Sequence, residues 1–415
     1  MKYSLHIRNK LLGSLRALDN WLYEGRKTTR ILFIFTDSYG FSCQVPIIQA
    51  LESHSNVYMR VTSEKSTPLR NIQCATAQEQ EIFNRYFIGN KRATFLKWHL
   101  TLDTHLNSFY LKRNALRIGM HHGPGFGILG SKIHLVQNYD IFLGLSRAER
   151  YFLEQIKPDV FTNNRAFFAA GFPKADKLIN KSADNSEIFT RLNINNKPNI
   201  LITSHWQPTS TIGTFGSQVF AILAQAFPEH NIIQTGHPWL WKNHKKIEGL
   251  NPSVLIKEFQ DIASQNENAY FLPYENAEEL LLISDMLIAD HSSIITTYCL
   301  LDKPIVWFDN PDVSFAIPEI REAYRQASNT YTQLDQLINV CQLAINDPKE
   351  KTLGREKMRH IFYANQGNAG PKAAEILMAI GSISSPHSLH WKKVIDLSNQ
   401  AEHTATVNST IKSAN

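Results

Sequence analysis

The stretch MLIADHSS, residues 286–293, sets an apolar run of strand character against an aspartate, a histidine and two serines, just before a segment of helical pattern. A second apolar run, 304–308, follows after about one helix's worth of chain, so the two read as a β-α-β unit with strands buried on both faces. Ser292 and Ser293 then fall in the first turn of the intervening helix, where unpaired backbone N–H groups and the positive end of the dipole favour an anion. That chemistry is phosphate binding; the alternative is that Asp290 or Ser292 only caps the helix. Three more stretches stand at or just after apolar runs: GMHHGPGFG (119–127), GFPKAD (171–176) and TGHPWLW (235–241). His237 precedes Pro238, which suits the first position of a helix, and its ring could donate to a phosphate oxygen. His205, in ILITSHWQPTS, ends a neighbouring run and either approaches a nucleotide or is simply a loop residue.

The elements that must carry these residues alternate between strand-like and helix-like segments for about 280 residues, the pattern of an α/β protein. Strands are expected at 30–36, 57–61, 117–120, 141–145 and 167–170, with helical patterns at 77–87 and 147–156. The segment 181–198, rich in Asn, Lys, Ser and Asp, breaks the pattern. A second series follows, with strands at 199–203, 232–235, 270–272, 286–289 and 304–308 and a helix at 277–283. The expected organisation is an amphipathic helix over 1–24, an N-terminal Rossmann-like domain over 25–185, a second over 190–330, helices over 331–381 and a polar, mobile tail over 382–415. Two doubly wound domains in succession imply a ligand in the cleft between them, contacted by loops at the carboxyl ends of the strands.

In this order and spacing the four stretches resemble the CDP-glycerol glycerophosphotransferase family of teichoic-acid and capsule-type polymer synthesis, over roughly residues 115–310. That family carries an HG(T)P stretch, a G-(Y/F)-P-(R/K)-x-D stretch, an HP dipeptide and a D-(Y/H)-S-S stretch. They correspond here to His122-Gly123, to Gly171 through Asp176, to His237-Pro238 and to Asp290-His291-Ser292-Ser293. The resemblance implies two Rossmann-like domains of the GT-B type and a reaction in which an acceptor hydroxyl attacks the distal phosphorus of CDP-glycerol while CMP leaves. Such a site must activate a hydroxyl and hold a pyrophosphate. The resemblance gives the first task to His122, in a glycine-rich loop where a histidine near neutral pKa can act as base; a structural loop histidine is the other reading. It gives the donor phosphates to His237, Asp290, His291, Ser292 and Ser293, with His205 beside them. Gly123, Gly125, Gly171, Pro173, Lys174 and Asp176 are expected to support the acceptor side or its loops. The chain departs from the pattern at Pro124-Gly125, where the family has Thr-Pro, and at Thr297, where an acidic residue often stands. Those departures open the donor to CDP-ribitol or a sugar nucleotide.

Hydrophobic residues make up 43% and charged residues 19% of the 415, an ordinary globular balance for two domains and some additional chain. The net charge of +6 favours an anionic partner, whereas scattered basic residues without an RNP-like, zinc-finger or helix-turn-helix signature exclude nucleic acid. Four widely spaced cysteines read as reduced thiols of a cytoplasmic protein. No run reaches the roughly 20 apolar residues of a membrane span, and no continuous apolar core of a secretory signal is present. Leu11, Leu15, Leu18 and Leu22 recur at helical spacing among Lys2, Arg8, Lys10 and Arg16, so the first helix either lies on an anionic membrane surface or packs on protein.

His99, Asp103 and His105 have tolerable ligand spacing, but an i, i+4, i+6 set does not share one helix face, and no metal site is expected. The absence of GxxxxGK[ST], GxSxG and GxGxxG patterns argues against ATP hydrolysis, ester hydrolysis and dehydrogenation, and no cofactor is implied. The expected function is transfer of a polyol phosphate from a CDP-activated donor to a lipid-linked or growing glycan, at the inner face of the cytoplasmic membrane. The rivals are a glycosyltransferase or epimerase using a sugar nucleotide on the same fold, and a non-catalytic nucleotide- or lipid-binding scaffold.

Overall fold

The computed structural model describes residues 13–15, 18–19, 28–63, 74, 76–106, 115–123, 133–161, 165–180, 185–242, 250–273 and 277–381, with 392, 394–395 and 398 near the C-terminus. Gly125, most of the N-terminal segment 1–24 and most of the tail 382–415 lie outside the described residues. The described chain divides into two compact units, the first running to Asp176 and resuming at Phe362, the second running from Lys177 to Ile361.

In the first unit β1 (Thr29–Phe35), β2 (Val57–Ser63), β3 (Leu100–Asp103), β4 (Leu116–Met120), β5 (Ile141–Gly144) and β6 (Ala166–Ala169) form a parallel sheet in the order β2-β1-β3-β4-β5-β6. β1 is buried along its whole length, as expected of a TRILFIF run covered on both faces. Its principal helices are α1 (Ser38–Glu52), α2 (Ala77–Tyr86) and α3 (Arg147–Ile156). The second unit contains β7 (Asn199–Ile202), α4 (Gln218–Ala226), β8 (Asn231–Gln234), α5 (Pro252–Gln265), β9 (Ala269–Phe271), α6 (Ala277–Ile283), β10 (Met286–Ala289), α7 (Ile294–Tyr298), β11 (Ile305–Phe308), α8 (Pro318–Ala327) and β12 (Asn329–Tyr331). Its sheet is also parallel, ordered β12-β11-β10-β7-β8-β9.

Ten of these strands coincide with the apolar runs of the sequence; β3 and β12 are additional. In each sheet the strand order reverses once: between β1 and β3 in the first, between β7 and β10 in the second. Connections on opposite sides of such a point leave by opposite faces, so a crevice opens beyond the carboxyl ends of the two strands.

The chain closes with α9 (Ala369–Ile380), which belongs to the first unit. Ala373, Ala374, Leu377 and Ile380 are buried in one apolar cluster with Phe41, Val45 and Ile48 of α1 and with β1. The GFPKAD stretch secures this docking. Asp176 accepts from the Ala369 N–H at 3.0 Å and the Gly370 N–H at 2.8 Å, two donors that the start of α9 leaves without helical partners. Gly171, at φ +95°, lies where a Cβ would be 2.2 Å from the Ala364 carbonyl, so no other residue fits without displacing that crossing. Val394 and Ser398 are also buried, and Ser398 Oγ donates to the Phe167 carbonyl at 2.6 Å; at those two points the polar tail is packed.

At the N-terminus residues 13–15 and 18–19 are helical, with Leu15 and Leu18 exposed. Asp19 is tied to β1 by an ion pair with Arg30 at 2.6 Å.

Candidate active site

In the first unit the polar residues gather where β1, β3 and β4 end. Asp37 caps α1 by accepting from the Gly40 N–H at 2.9 Å. After β3, Asp103 is buried and accepts from the His105 N–H at 2.9 Å and from the Tyr139 hydroxyl at 2.5 Å, which fixes the turn 103–106. After β4 come His121 and His122. His122 Nδ1 lies 3.1 Å from the Thr104 carbonyl oxygen. A carbonyl only accepts, so Nδ1 carries the proton and the neutral ring presents Nε2 with a lone pair.

The His105 ring stacks on His122 at 4.8 Å between centroids, with 14° between planes, and Tyr39 meets His122 edge-on at 6.4 Å. Burial by surrounding protein, foremost, and then the neighbouring His105 hold the His122 imidazole down at about 4, but the residue as a whole is exposed, so water weakens this effect. Burial draws the Asp37 carboxyl up, but His105, the Gly40 N–H and His122 together outweigh it and hold the group at about 2. Its side chain is 58% exposed, so water screens these attractions. His121 turns the other way: its Nε2 lies 2.6 Å from Glu149 Oε1 among buried groups, a close contact without hydrogen-bond alignment. Lys174 lies over the Tyr39 ring at 4.1 Å, so the lysine of GFPKAD flanks the same cluster while Asp176 of that stretch is a helix cap.

In the second unit the cluster lies at the ends of β7, β8 and β10. Asp290 is fully buried and accepts from Ser204 Oγ at 2.6 Å, from the His205 N–H at 3.0 Å and from the Thr211 N–H at 2.9 Å. Its carboxylate thus faces the loop after β7 and sets the path of residues 204–211. The result is a group of three imidazoles: His205 lies 5.5 Å from His237 and 5.1 Å from His291, centroid to centroid. His291 Nε2 pairs with Gln207 Oε1 at 2.8 Å, while the Nδ1 atoms of His205 and His291 are buried without hydrogen-bond partners. Burial, then His291 and His237, hold His205 at about 3; burial also lowers His291. Ser292 and Ser293 are partly exposed beside them, with Ser293 at the start of α7 and without a side-chain cap bond. At the end of β11, Asp309 holds Arg321 and Arg325, a further basic pair on the same edge of the sheet.

Chemically, the first cluster offers a proton acceptor with one fixed tautomer. The second offers the imidazoles of His205 and His291, whose protonation burial opposes and an arriving anion would favour, and the hydroxyls of Ser292 and Ser293 as donors. The structure brings together His205, His237 and His291, with Ser292 and Ser293 adjacent in the chain. It places Asp290 and Asp176 as internal acceptors. Asp37 and Thr104 were not singled out in the sequence, and His105 was weighed only as a metal ligand, although IFTDSYG and LTLDTH carry the same signal as MLIADHSS, an apolar run ending in polar residues. His99, Asp103 and His105 do not converge: His99 Nδ1 accepts from the Arg30 N–H, and Asp103 and His105 have the partners given above. Among the described residues no group of three or more His, Cys, Asp or Glu side chains is placed to hold a metal ion.

Comparison with known proteins adds a family. Residues 6–336 match the family model described as CDP-Glycerol:Poly(glycerophosphate) glycerophosphotransferase. A teichoic acid poly(glycerol phosphate) polymerase of Bacillus spizizenii is 27% identical over 174 residues, 41% of this chain and 41% of that protein. The match thus spans about two fifths of the relative's length. Among solved structures, the wall teichoic acid polymerase TagF superposes with a TM-score of 0.60 at 16% identity, covering 92% of this chain and 97% of that one. A putative UDP-N-acetylglucosamine 2-epimerase from Listeria monocytogenes gives 0.55 at 14% identity, covering 85% and 95%. At such identities the likeness speaks for the fold, two Rossmann-like units of the GT-B class.

Proposed function

The chain belongs to the CDP-glycerol:poly(glycerophosphate) glycerophosphotransferase family, and from that premise we propose that it transfers glycerol phosphate from CDP-glycerol to a hydroxyl of a growing, teichoic-acid-type polymer. The observation that carries the proposal is His122, whose Nδ1 donates to the Thr104 carbonyl so that Nε2 is the nitrogen able to take a proton. The acceptor hydroxyl attacks the phosphorus bearing the glycerol; its proton passes to His122 Nε2, the new P–O bond forms, and the P–O bond to CMP breaks with CMP taking the electron pair. An imidazole held near 4 is deprotonated at neutral pH and ready to accept. The phosphates of the donor, brought close, raise its basicity during the reaction.

On this reading the second unit holds the donor. His205, His237 and His291 donate to the pyrophosphate together with Ser292 and Ser293, and the same contacts stabilise charge on the departing CMP. Asp290 acts by holding the His205 loop in place. His122→Ala should leave donor affinity close to that of the parent protein while turnover falls by roughly 10²- to 10⁴-fold; His237→Ala should impair affinity and turnover together. CMP release by His122→Ala at the parent rate would refute the assignment.

No helix among the described residues is long and apolar enough to cross a membrane. We propose that the N-terminal helix, with its exposed Leu15 and Leu18, attaches the protein to an anionic membrane surface on the cytoplasmic side, where a lipid-linked acceptor resides. Removal of residues 1–24 should abolish sedimentation with anionic vesicles, and unchanged sedimentation would contradict it.

A further inference from the structure

The turn after β3 supplies two sides of the His122 environment. The Thr104 carbonyl fixes Nδ1 in the ring plane, and the His105 ring covers one face of that plane at 4.8 Å and 14°. His105 is itself held at three points. Its backbone N–H donates to Asp103 Oδ1 at 2.9 Å, its Nδ1 lies 3.2 Å from Thr104 Oγ1, and its Nε2 faces Asp37 Oδ1 at 3.4 Å. Space for the ring exists only because residue 40 is glycine: a Cβ there would stand 2.2 Å from His105 Cε1. A side chain anchored this closely, 13% exposed and beside a carboxylate, is positioned for a purpose that packing alone does not require.

We infer that His105, clamped by Asp37, is the positioning residue of the His122 base: it fixes the plane of that ring and, stacked on it, disfavours a proton there until the acceptor hydroxyl delivers one. Two stacked imidazolium rings repel, so the pair carries at most one positive charge. The reacting pair therefore has a neutral His105, any second proton having left to solvent; its Nε2–H points at Asp37 and its Nδ1 accepts from the Thr104 hydroxyl, so the neutral ring keeps both anchors. The other groups around His122 do not duplicate this role. His121 is engaged with Glu149, Tyr39 presents an edge with Lys174 on its ring, and Cys43 Sγ donates to the His122 carbonyl at 3.6 Å.

The inference rests on His122 being the base, and the test separates the two claims. Titration of the histidine Cε1–H resonances by NMR reads the His122 proton directly, without turnover. In His105→Phe, which keeps a stacked ring but no proton, the His122 midpoint should rise by about one pH unit, and the acid limb of kcat/KM should move up with it. In His105→Gln, which retains a polar partner for Asp37 and serves if the phenylalanine variant does not fold, the midpoint should rise likewise. A His122 midpoint within about 0.3 pH unit of the parent value in the folded His105 variants would overturn the inference. Full activity of His122→Ala would instead remove the base assignment, whatever the titration showed.

Discussion

Replacing Asp290 by alanine would leave the His205 and Thr211 N–H groups without acceptors where the carboxylate is now fully buried. Ser204 Oγ would turn to the His205 carbonyl, already at 3.1 Å, and keep the Ile212 N–H it accepts at 3.0 Å, so the hydroxyl is not orphaned. Two buried backbone donors then remain unpaired at about 1–3 kcal/mol each, a destabilisation on the order of 2–6 kcal/mol. Asp290→Asn retains one oxygen but turns an NH2 toward one of these donors, and the expected loss is smaller, about 1–3 kcal/mol. Because two units need not unfold together, the assay is hydrogen exchange at the 204–211 amides, with denaturant titration of each variant alongside. Both amides should lose protection, alanine more than asparagine, and donor affinity should fall in step as His205 leaves His237 and His291. Protection and stability unchanged in Asp290→Ala would refute the reasoning, and Asp290 would have to contact the donor directly.

Asp176→Ala removes both acceptors from the start of α9, so hydrogen exchange at 369–372 should quicken and stability fall by about 2–4 kcal/mol, with the second unit's donor affinity retained; unaltered exchange there would contradict the capping role. Acid should destabilise the fold through its neutral histidines. His122 and His205 bind protons in the unfolded chain below 6.5 but in the folded one only near 4 and 3, so their contribution is complete above 6.5 and is lost as pH falls through that window. Denaturant titrations at pH 7.5 and 5 should therefore differ, and His205→Gln should reduce the proton uptake on unfolding by up to about one; the same pH dependence in parent and variant would show that His205 is not held neutral.

The apolar strands were legible because burial on both faces leaves an unbroken run such as MLIA or IVWF. β3 escaped notice for a physical reason: in LTLD, Thr101 and Asp103 are polar yet buried, and Asp103 is paired with the hydroxyl of Tyr139, 36 residues further along. β12 is three residues long, too short for any periodicity. Within the candidate site, His122, His237, His291 and the two serines were visible as polar residues at strand ends. Asp37 and His105 carry the same mark, but only the parallel alignment of β1, β3 and β4 sets them beside His122. GFPKAD was legible as a motif. That Asp176 caps a helix 193 residues further along could not be read locally.

The nucleotide set free tests most directly the proposal that this protein transfers glycerol phosphate and releases CMP. Purified protein, supplied with CDP-glycerol, CDP-ribitol and UDP-N-acetylglucosamine in turn, together with a membrane extract carrying acceptor, is assayed for the nucleotide set free. The expected result is CMP from CDP-glycerol, with no UDP from the sugar nucleotide, and loss of that release in His122→Ala. Release of UDP, or binding of CDP-glycerol without any CMP, would contradict it.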